Sequence, residues 1–403
     1  MSKVRYGVIG IKGIGKRHIL TALRNPNIEL SALVDIDQER VTEEAGKLGV
    51  RAFTDYKAML EADVVDAVSI ATPHHLHAPM ALTCLKAGLH VFVEKPLATR
   101  VSEADAILHA ARSRNLKVCV GHQYRLHQLS QAMKQRIDDG TVGNVMRVLW
   151  TWVASRPQKY YERDVWRASW RQAGGGVLMN QVSHDLDLIR WMIGKPVQVS
   201  AMIGNQLHRS EVEDVACVNI LFENGAFGTL QFTINQPNGF SVRQIAGENG
   251  TIVIQDVQSL DDDQTDYIRI GTYEDLRQSM TTTSPSSPYH PAVSWGSIKV
   301  AGDHSRLSKF ARPRRLLRRL GVLRSDEAST AFTTLMESFI AAIRNGGEPI
   351  VNADNARPTV ELINAIILSG MTKRTVDLPL DSGEYDRLFD EMSDGKTKVP
   401  TYH

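Results

Sequence analysis

Between Val4 and Asp35 the chain runs through an apolar stretch (Val4–Gly10), a glycine-rich turn G-I-K-G-I-G (Gly10 to Gly15), a helix-patterned stretch from Ile14 stopped by Pro26, and a second apolar stretch (Ile28–Asp35). A strand, turn, helix and strand within about thirty residues constrain the fold more than any other feature, because parallel strands need a crossover. Gly10 and Gly13 permit tight turning, and Gly15 permits close helix–strand packing. The free N–H groups at the start of the helix then face a pyrophosphate. Lys12 stands where the second glycine of a dinucleotide fingerprint belongs. Its side chain either crowds the pyrophosphate or attracts it through the ammonium; a degenerate turn that binds nothing is the bland alternative. Asp35 ends the second strand about twenty residues after the last glycine, where a carboxylate accepts hydrogen bonds from an adenosine ribose. With Asp37 nearby it repels a 2′-phosphate, which favours NAD over NADP.

The alternation continues. Val64–Ala71 reads as a strand ending in T-P-H-H-L-H (Thr72 to His77), with a helix from Pro79 to Gly88 after it. His90–Val93 is a strand ending in E-K-P (Glu94, Lys95, Pro96). Ser102 caps a helix to Asn115, with Asp105 completing an S-x-x-D box, and Lys117–Gly121 is a further strand. Repeated units of this kind predict a doubly wound parallel sheet with ligands beyond the strands' C-terminal ends. Thr72, Pro73, His77, Glu94 and Lys95 all fall at such ends, and position alone nominates Lys95.

With 403 residues there is room for two domains. Lys+Arg 47 against Asp+Glu 45 leaves +2, so no global field favours nucleic acid or a membrane surface. Neither a bilayer-spanning apolar run nor the apolar stretch of a signal peptide is present. Cys84, Cys119 and Cys217 lack C-x-x-C spacing, which argues against a zinc or other metal site and a disulfide framework. A cytoplasmic α/β protein is expected.

In the second half, Gly174–Gly176 break the chain and Val177–Trp191 reads as helix. Asn180, His184 and Asp187 fall at i, i+4 and i+7, on one face. Such a polar stripe is either a structural hydrogen-bond network or the lining of a pocket. Histidine suits proton acceptance near neutrality, an ammonium at Lys95 suits a developing alkoxide, and Asn180 can orient a hydroxyl without titrating. Several β-rich stretches between Val197 and Val257, joined by F-E-N-G and A-G-E-N-G, predict hairpins in an open, mostly antiparallel sheet. The expected division is a Rossmann domain over 1–125 and an α+β domain over 126–403, with 258–329 as an insertion. That insertion holds a Ser/Thr/Pro-rich loop and a basic segment, Arg306 to Arg324, read as a solvated or subunit-packing helix or as an attractor of anionic substrate. Helices over 330–345 and 358–373 precede a partly loose tail over 381–403.

The stretch "ATPHHLHAPMALTCLKAGLHVFVEKPLA" resembles the Gfo/Idh/MocA family of NAD(P)-dependent oxidoreductases, and "GGGVLMNQVSHDLDLIRWMIG" (Gly174 to Gly194) resembles its second signature. The resemblance implies that Lys95 contacts both the nicotinamide ribose and the substrate hydroxyl, and that His184 is the acid–base. Asn180 replaces the signature's first aspartate, which removes one proton acceptor. Trp166 and Arg167 match a W-R segment that approaches cofactor or substrate, with aromatic–arginine stacking as the plain alternative. Tyr124 lies at the family's crossover between domains, and Arg156 opens the segment before the glycines; both are expected at the substrate. The implied protein is a homodimer or homotetramer joined through its C-terminal sheet. The implied activity is hydride transfer between NAD and a secondary alcohol of a sugar, glycoside or cyclic polyol. A cis-dihydrodiol dehydrogenase, an NAD-retaining glycoside-cleaving enzyme and a dinucleotide-sensing co-regulator are the alternatives.

Overall fold

The computed structural model describes residues 2–237, 240–257, 267–273, 293–299 and 326–402. The Ser/Thr/Pro-rich loop and the basic segment Arg306–Arg324 lie outside the described residues.

The first sheet is built from β1 (Val4–Ile9), β2 (Ile28–Val34), β3 (Arg51–Phe53), β4 (Ala67–Ile70), β5 (His90–Val93) and β6 (Val118–Val120). Its order is β3-β2-β1-β4-β5-β6 and every pairing is parallel. Crossover helices α1 (Gly15–Arg24), α2 (Gln38–Leu48), α3 (Tyr56–Glu61), α4 (His77–Lys86) and α5 (Val101–Ser113) join successive strands. Strand β4 is buried along its whole length, as expected of a parallel strand covered on both faces. The order reverses between β1 and β4, so the crevice beyond their C-terminal ends is where such a sheet takes a ligand.

One local expectation fails in this half. The residue capping α5 is Arg100, and the reciprocal acid is Glu103, whereas the Ser102 hydroxyl donates to Asp386. The helix starts two residues earlier than the S-x-x-D spacing suggests because the Glu103 carboxylate reaches the Thr99 and Arg100 backbone N–H groups.

The second sheet contains β7 (Val145–Val153), β8 (Pro196–Gly204), β9 (Val215–Phe222), β10 (Phe227–Thr233), β11 (Phe240–Gly247), β12 (Gly250–Val257), β13 (Tyr267–Thr272), β14 (Ser294–Lys299) and β15 (Val376–Asp377). Its order is β14-β13-β12-β11-β7-β10-β9-β8-β15, antiparallel except where β7 meets β10. Both hairpins read from the sequence are present, β9–β10 and β11–β12. The helices associated with it are α6 (Gln128–Asp138), α7 (Lys159–Arg163), α8 (Trp170–Ala173) and α9 (Ser183–Ile193). Inward residues of the sheet, Val148, Trp150, Val218, Ile220, Leu230 and Phe232, share one core with Leu186 and Ile189. The opposite face leaves Met202 75% and Phe227 64% exposed.

Three C-terminal helices tie the halves together: α10 (Asp326–Asn345), α11 (Ala353–Thr372) and α12 (Ser382–Ser393). Phe332, Leu335, Met336 and Phe339 of α10 are buried in the core of the first sheet. Helix α11 contributes Leu362, Ile363 and Ile366 to the core of the second, and its Asn364 amide bonds the Val101 N–H and the Thr99 carbonyl. The tail is not loose. Asp381 caps α12, which buries Tyr385, Phe389 and Met392. This apolar trio at helical spacing supplies enough buried area to hold a terminus in place.

Candidate active site

The glycine turn between β1 and α1 is as tight as its sequence requires. A Cβ on Gly15 would stand 1.9 Å from the Gly10 carbonyl oxygen, and one on Gly10 would stand 2.7 Å from the Ala71 carbonyl at the end of β4. Gly10 and Gly13 have φ of 84° and 59°. Ile14 occupies the N-cap of α1 without a side-chain cap, and no acid lies in the first turn. The helix therefore presents a positive dipole end to the turn, a place suited to an NAD pyrophosphate, although Gly15 and Arg17 N–H already donate to the Lys12 and Ile14 carbonyls. Lys12 is exposed and does not fill the turn. Its charge instead reaches across to Asp164: burial would raise that carboxyl, but Arg163, Arg167 and Lys12 hold it below its ordinary range.

Asp35 lies beside this turn. Its carboxylate accepts from the backbone N–H groups of Ile11 (3.1 Å) and Asp37 (3.1 Å). Arg40 sits 3.4 Å from Asp35 and 2.7 Å from Asp37, so the two carboxylates are partly neutralised by a residue with no sequence signature.

Beyond β4 and β5 the predicted residues come together. Both His77 ring nitrogens face carbonyls, Pro96 at 2.7 Å and Thr72 at 3.0 Å, so its ring staples the ends of the two strands. Burial lowers its pKa, so the ring is neutral and donates to one of the two carbonyls. Pro73 precedes a short turn in which His74 Nδ1 bonds the Ala173 carbonyl at 2.8 Å while its ring meets Trp166 edge-on at 4.8 Å. The 159–173 segment thereby closes over the end of β4.

Lys95 Nζ donates to the Asn180 carbonyl oxygen at 2.8 Å. Burial lowers its pKa to about 8; Glu94 opposes that shift and Arg167 adds to it. Behind it runs a buried chain: Tyr6 and Ser69 hydroxyls at 2.6 Å, Ser69 to His18 Nδ1 at 2.6 Å, and His18 Nε2 to Glu94 at 3.0 Å. Burial would raise Glu94, but the hydrogen bond from His18 and the charge of Lys95 keep it below its ordinary value, hence ionised.

The expected straight helix over 177–191 is not what forms. Val177–Gln181 is a single π-type turn, closed by Val182 N–H to the Val177 carbonyl at 2.9 Å, and α9 begins only at Ser183. The cause is Glu213. Its buried carboxylate, pushed up to about 7 by burial, accepts from Gly176 N–H (2.8 Å) and Leu178 N–H (3.0 Å), and its carbonyl takes Val177 N–H. A Cβ on Gly176 would lie 1.8 Å from that carbonyl, so this approach requires glycine.

The π-turn separates the predicted stripe. Asp187 turns away into an ion pair with Arg125 (2.6 and 2.7 Å) and a bond from the Thr359 hydroxyl (2.8 Å), a structural network rather than pocket lining. His184 stacks on Tyr124 with ring centroids 4.1 Å apart and meets His122 edge-on. Its Nδ1 has no hydrogen-bond partner among the described residues. Burial first, then the charge of Lys95, drives its pKa well below the ordinary 6.5, so the ring is neutral at physiological pH. Asn180 Oδ1 accepts from Arg167 (3.0 Å) and the Tyr160 hydroxyl (3.4 Å). Arg156 bonds Gln181 at 2.9 Å, and Gln181 bonds Tyr160 at 2.8 Å. Tyr160 and Gln181 carry no sequence signal of their own; Gln181 is visible only as the neighbour of Asn180.

Among the described residues no group of three or more His, Cys, Asp or Glu could hold a metal, and no helix is long and apolar enough to cross a membrane.

Comparison with known proteins agrees with this arrangement. Residues 4–122 match the oxidoreductase family with an NAD-binding Rossmann fold, and residues 130–253 match the Gfo/Idh/MocA C-terminal domain. A myo-inositol 2-dehydrogenase of Thermotoga maritima is 26% identical over 322 residues, covering 74% of this chain and 93% of the relative. A levoglucosan dehydrogenase of Pseudarthrobacter phenanthrenivorans is 26% identical over 347 residues, covering 75% and 88%. The WlbA dehydrogenase from Bordetella pertussis, solved in complex with NADH and UDP-GlcNAcA, superposes with a TM-score of 0.74 at 25% identity over 94% of this chain and 99% of that one. The chain belongs to the Gfo/Idh/MocA family of NAD-binding oxidoreductases.

Proposed function

We propose that this protein is an NAD-dependent dehydrogenase that oxidises a secondary alcohol of a cyclic polyol or sugar to a ketone, or runs the reverse reaction. The observation that carries the reading is that Lys95, held by the Asn180 carbonyl just past β5, lies close enough to His184 for its charge to help keep that imidazole neutral, so an ammonium and a neutral base share one end of the first sheet. The names of the relatives, an inositol and a levoglucosan dehydrogenase, support the substrate class. Gly10, Gly13 and Gly15, with the positive end of α1, would hold the pyrophosphate of NAD, and Asp35 would take the adenosine ribose. Bound NAD supplies the hydride acceptor. His184 accepts the hydroxyl proton, and Lys95 stabilises the negative charge that develops on oxygen. Asn180, fixed by Arg167, orients the substrate, while Trp166 and Arg167 close the cleft from above.

The test is His184→Ala. Turnover should fall by about 10²–10⁴ with NADH affinity nearly unchanged; near-full turnover would remove His184 from the mechanism. NADH absorbance that accumulates with substrate separates this activity from a redox-neutral glycoside cleavage and from a dinucleotide sensor.

The open face of the second sheet, with Met202 and Phe227 exposed, supports assembly as a homodimer or homotetramer, to be read by analytical ultracentrifugation. Three free cysteines suit a cytoplasmic enzyme.

A further inference from the structure

Several hydrogen-bond donors converge on Asn180 and Gln181. Lys95 Nζ approaches the Asn180 backbone, Arg167 holds its side-chain oxygen, and Arg156 holds the Gln181 oxygen. The side-chain oxygens of Asn180 and Gln181 each accept from a guanidinium, and that of Asn180 also from the Tyr160 hydroxyl. Arg167 has an acidic neighbour, Asp164, at 3.6 Å. Arg156 has none: among the described residues no carboxylate lies within 4.0 Å of it, and its remaining bond is to the Ser155 carbonyl at 3.1 Å. It is only partly buried, with its guanidinium 5.8 Å from the Tyr160 ring centroid.

Two physical consequences follow. A guanidinium only donates, so beside Arg156 a carboxylate, which only accepts, is a better match than a hydroxyl, while the reacting hydroxyl keeps His184 as its acceptor. Glu94 stands beside Lys95 and Asp164 beside Arg167, which leaves Arg156 as the guanidinium of this group without a carboxylate among the described residues. An anion on the substrate supplies that missing partner. A planar guanidinium held from behind by an amide oxygen keeps its other N–H groups in the fork that matches a carboxylate.

We infer that the substrate carries a carboxylate, as in a uronic or aldonic acid, and that Arg156, braced by Gln181 and Tyr160, is the residue that selects it. This rests on the dehydrogenase reading of the same site. The experiment measures NAD reduction by wild type and Arg156→Gln over matched pairs, several hexuronates and aldonates against their neutral parent sugars, at low and high ionic strength. NADH binding is followed by fluorescence in both proteins. Wild type should favour the acids by about tenfold to a hundredfold in kcat/KM. The preference should shrink as salt rises, and in Arg156→Gln it should fall to near one while NADH still binds. Neutral sugars oxidised as well as their acids by wild type would overturn the inference and leave the dehydrogenase reading standing. NADH binding without reduction of NAD by any member of either set would overturn both. Should the variant fail to fold, the acid-to-neutral ratio and its salt dependence in wild type still decide.

Discussion

Replacing Glu94 by glutamine removes a carboxylate that supports the Lys95 ammonium while preserving shape. Burial brings Lys95 from an ordinary 10.5 down to about 8, which at about 1.4 kcal/mol per pH unit is about 3 kcal/mol against the charged form. Glu94 is the group that opposes this fall. An opposite charge at close range is worth about one to three pH units, so its loss should lower Lys95 further by about that much. Once the pH exceeds the lowered value, each unit of that fall removes about tenfold of the protonated form and with it about tenfold of the rate. The assay is the pH profile of kcat/KM, which reports the free enzyme. Because His184 titrates well below 6.5, the wild-type profile should be flat from about pH 6.5 and fall above about 8. In Glu94→Gln the falling limb should move to lower pH. A limb that stays at about 8 in the variant, or a wild type that shows none below pH 10, would refute the assignment of Lys95 as the ammonium that must stay charged.

Further outcomes test the scaffold. Gly15→Ala places a methyl 1.9 Å from the Gly10 carbonyl and should abolish NADH binding in a fluorescence titration while leaving the second sheet folded by circular dichroism. Arg125→Met leaves the buried Asp187 carboxylate without its ion-pair partner and should cost about 3–5 kcal/mol in urea unfolding, whereas a surface pair would cost under about 1 kcal/mol. Phe389→Ala should cost about 3–5 kcal/mol as well, which a loose tail would not.

Much of the first sheet is legible in the sequence because its strands are short, mostly apolar and separated by turn residues, a pattern that repeats from Val4 to Gly121. Lys95 is legible for the same reason, since position at a strand end is a property of order along the chain. What escapes is set by contacts between distant residues. The π-turn at Val177–Gln181 depends on Glu213, more than thirty residues away, so helical spacing alone puts Asp187 in the pocket when Arg125 and Thr359 in fact claim it. Arg40 beside Asp35 and Tyr160 beside Asn180 are likewise ordinary residues until folding brings them there. The tail looks polar enough to be loose because only three of its first twelve residues are buried, and their helical spacing is what holds it.

Helix α10 lies some two hundred residues beyond the sheet it covers, with Phe332 against Phe92 and against the edge of the His18 ring. The ribosome must therefore make most of the polypeptide before the coenzyme half has its last wall. A fragment cut after Gly121 would expose Phe92 and the His18–Glu94 pair to water, so the nucleotide-binding half should not be portable as a separate gene segment. Insertions between the halves can lengthen the chain freely, but the cover has to travel with them.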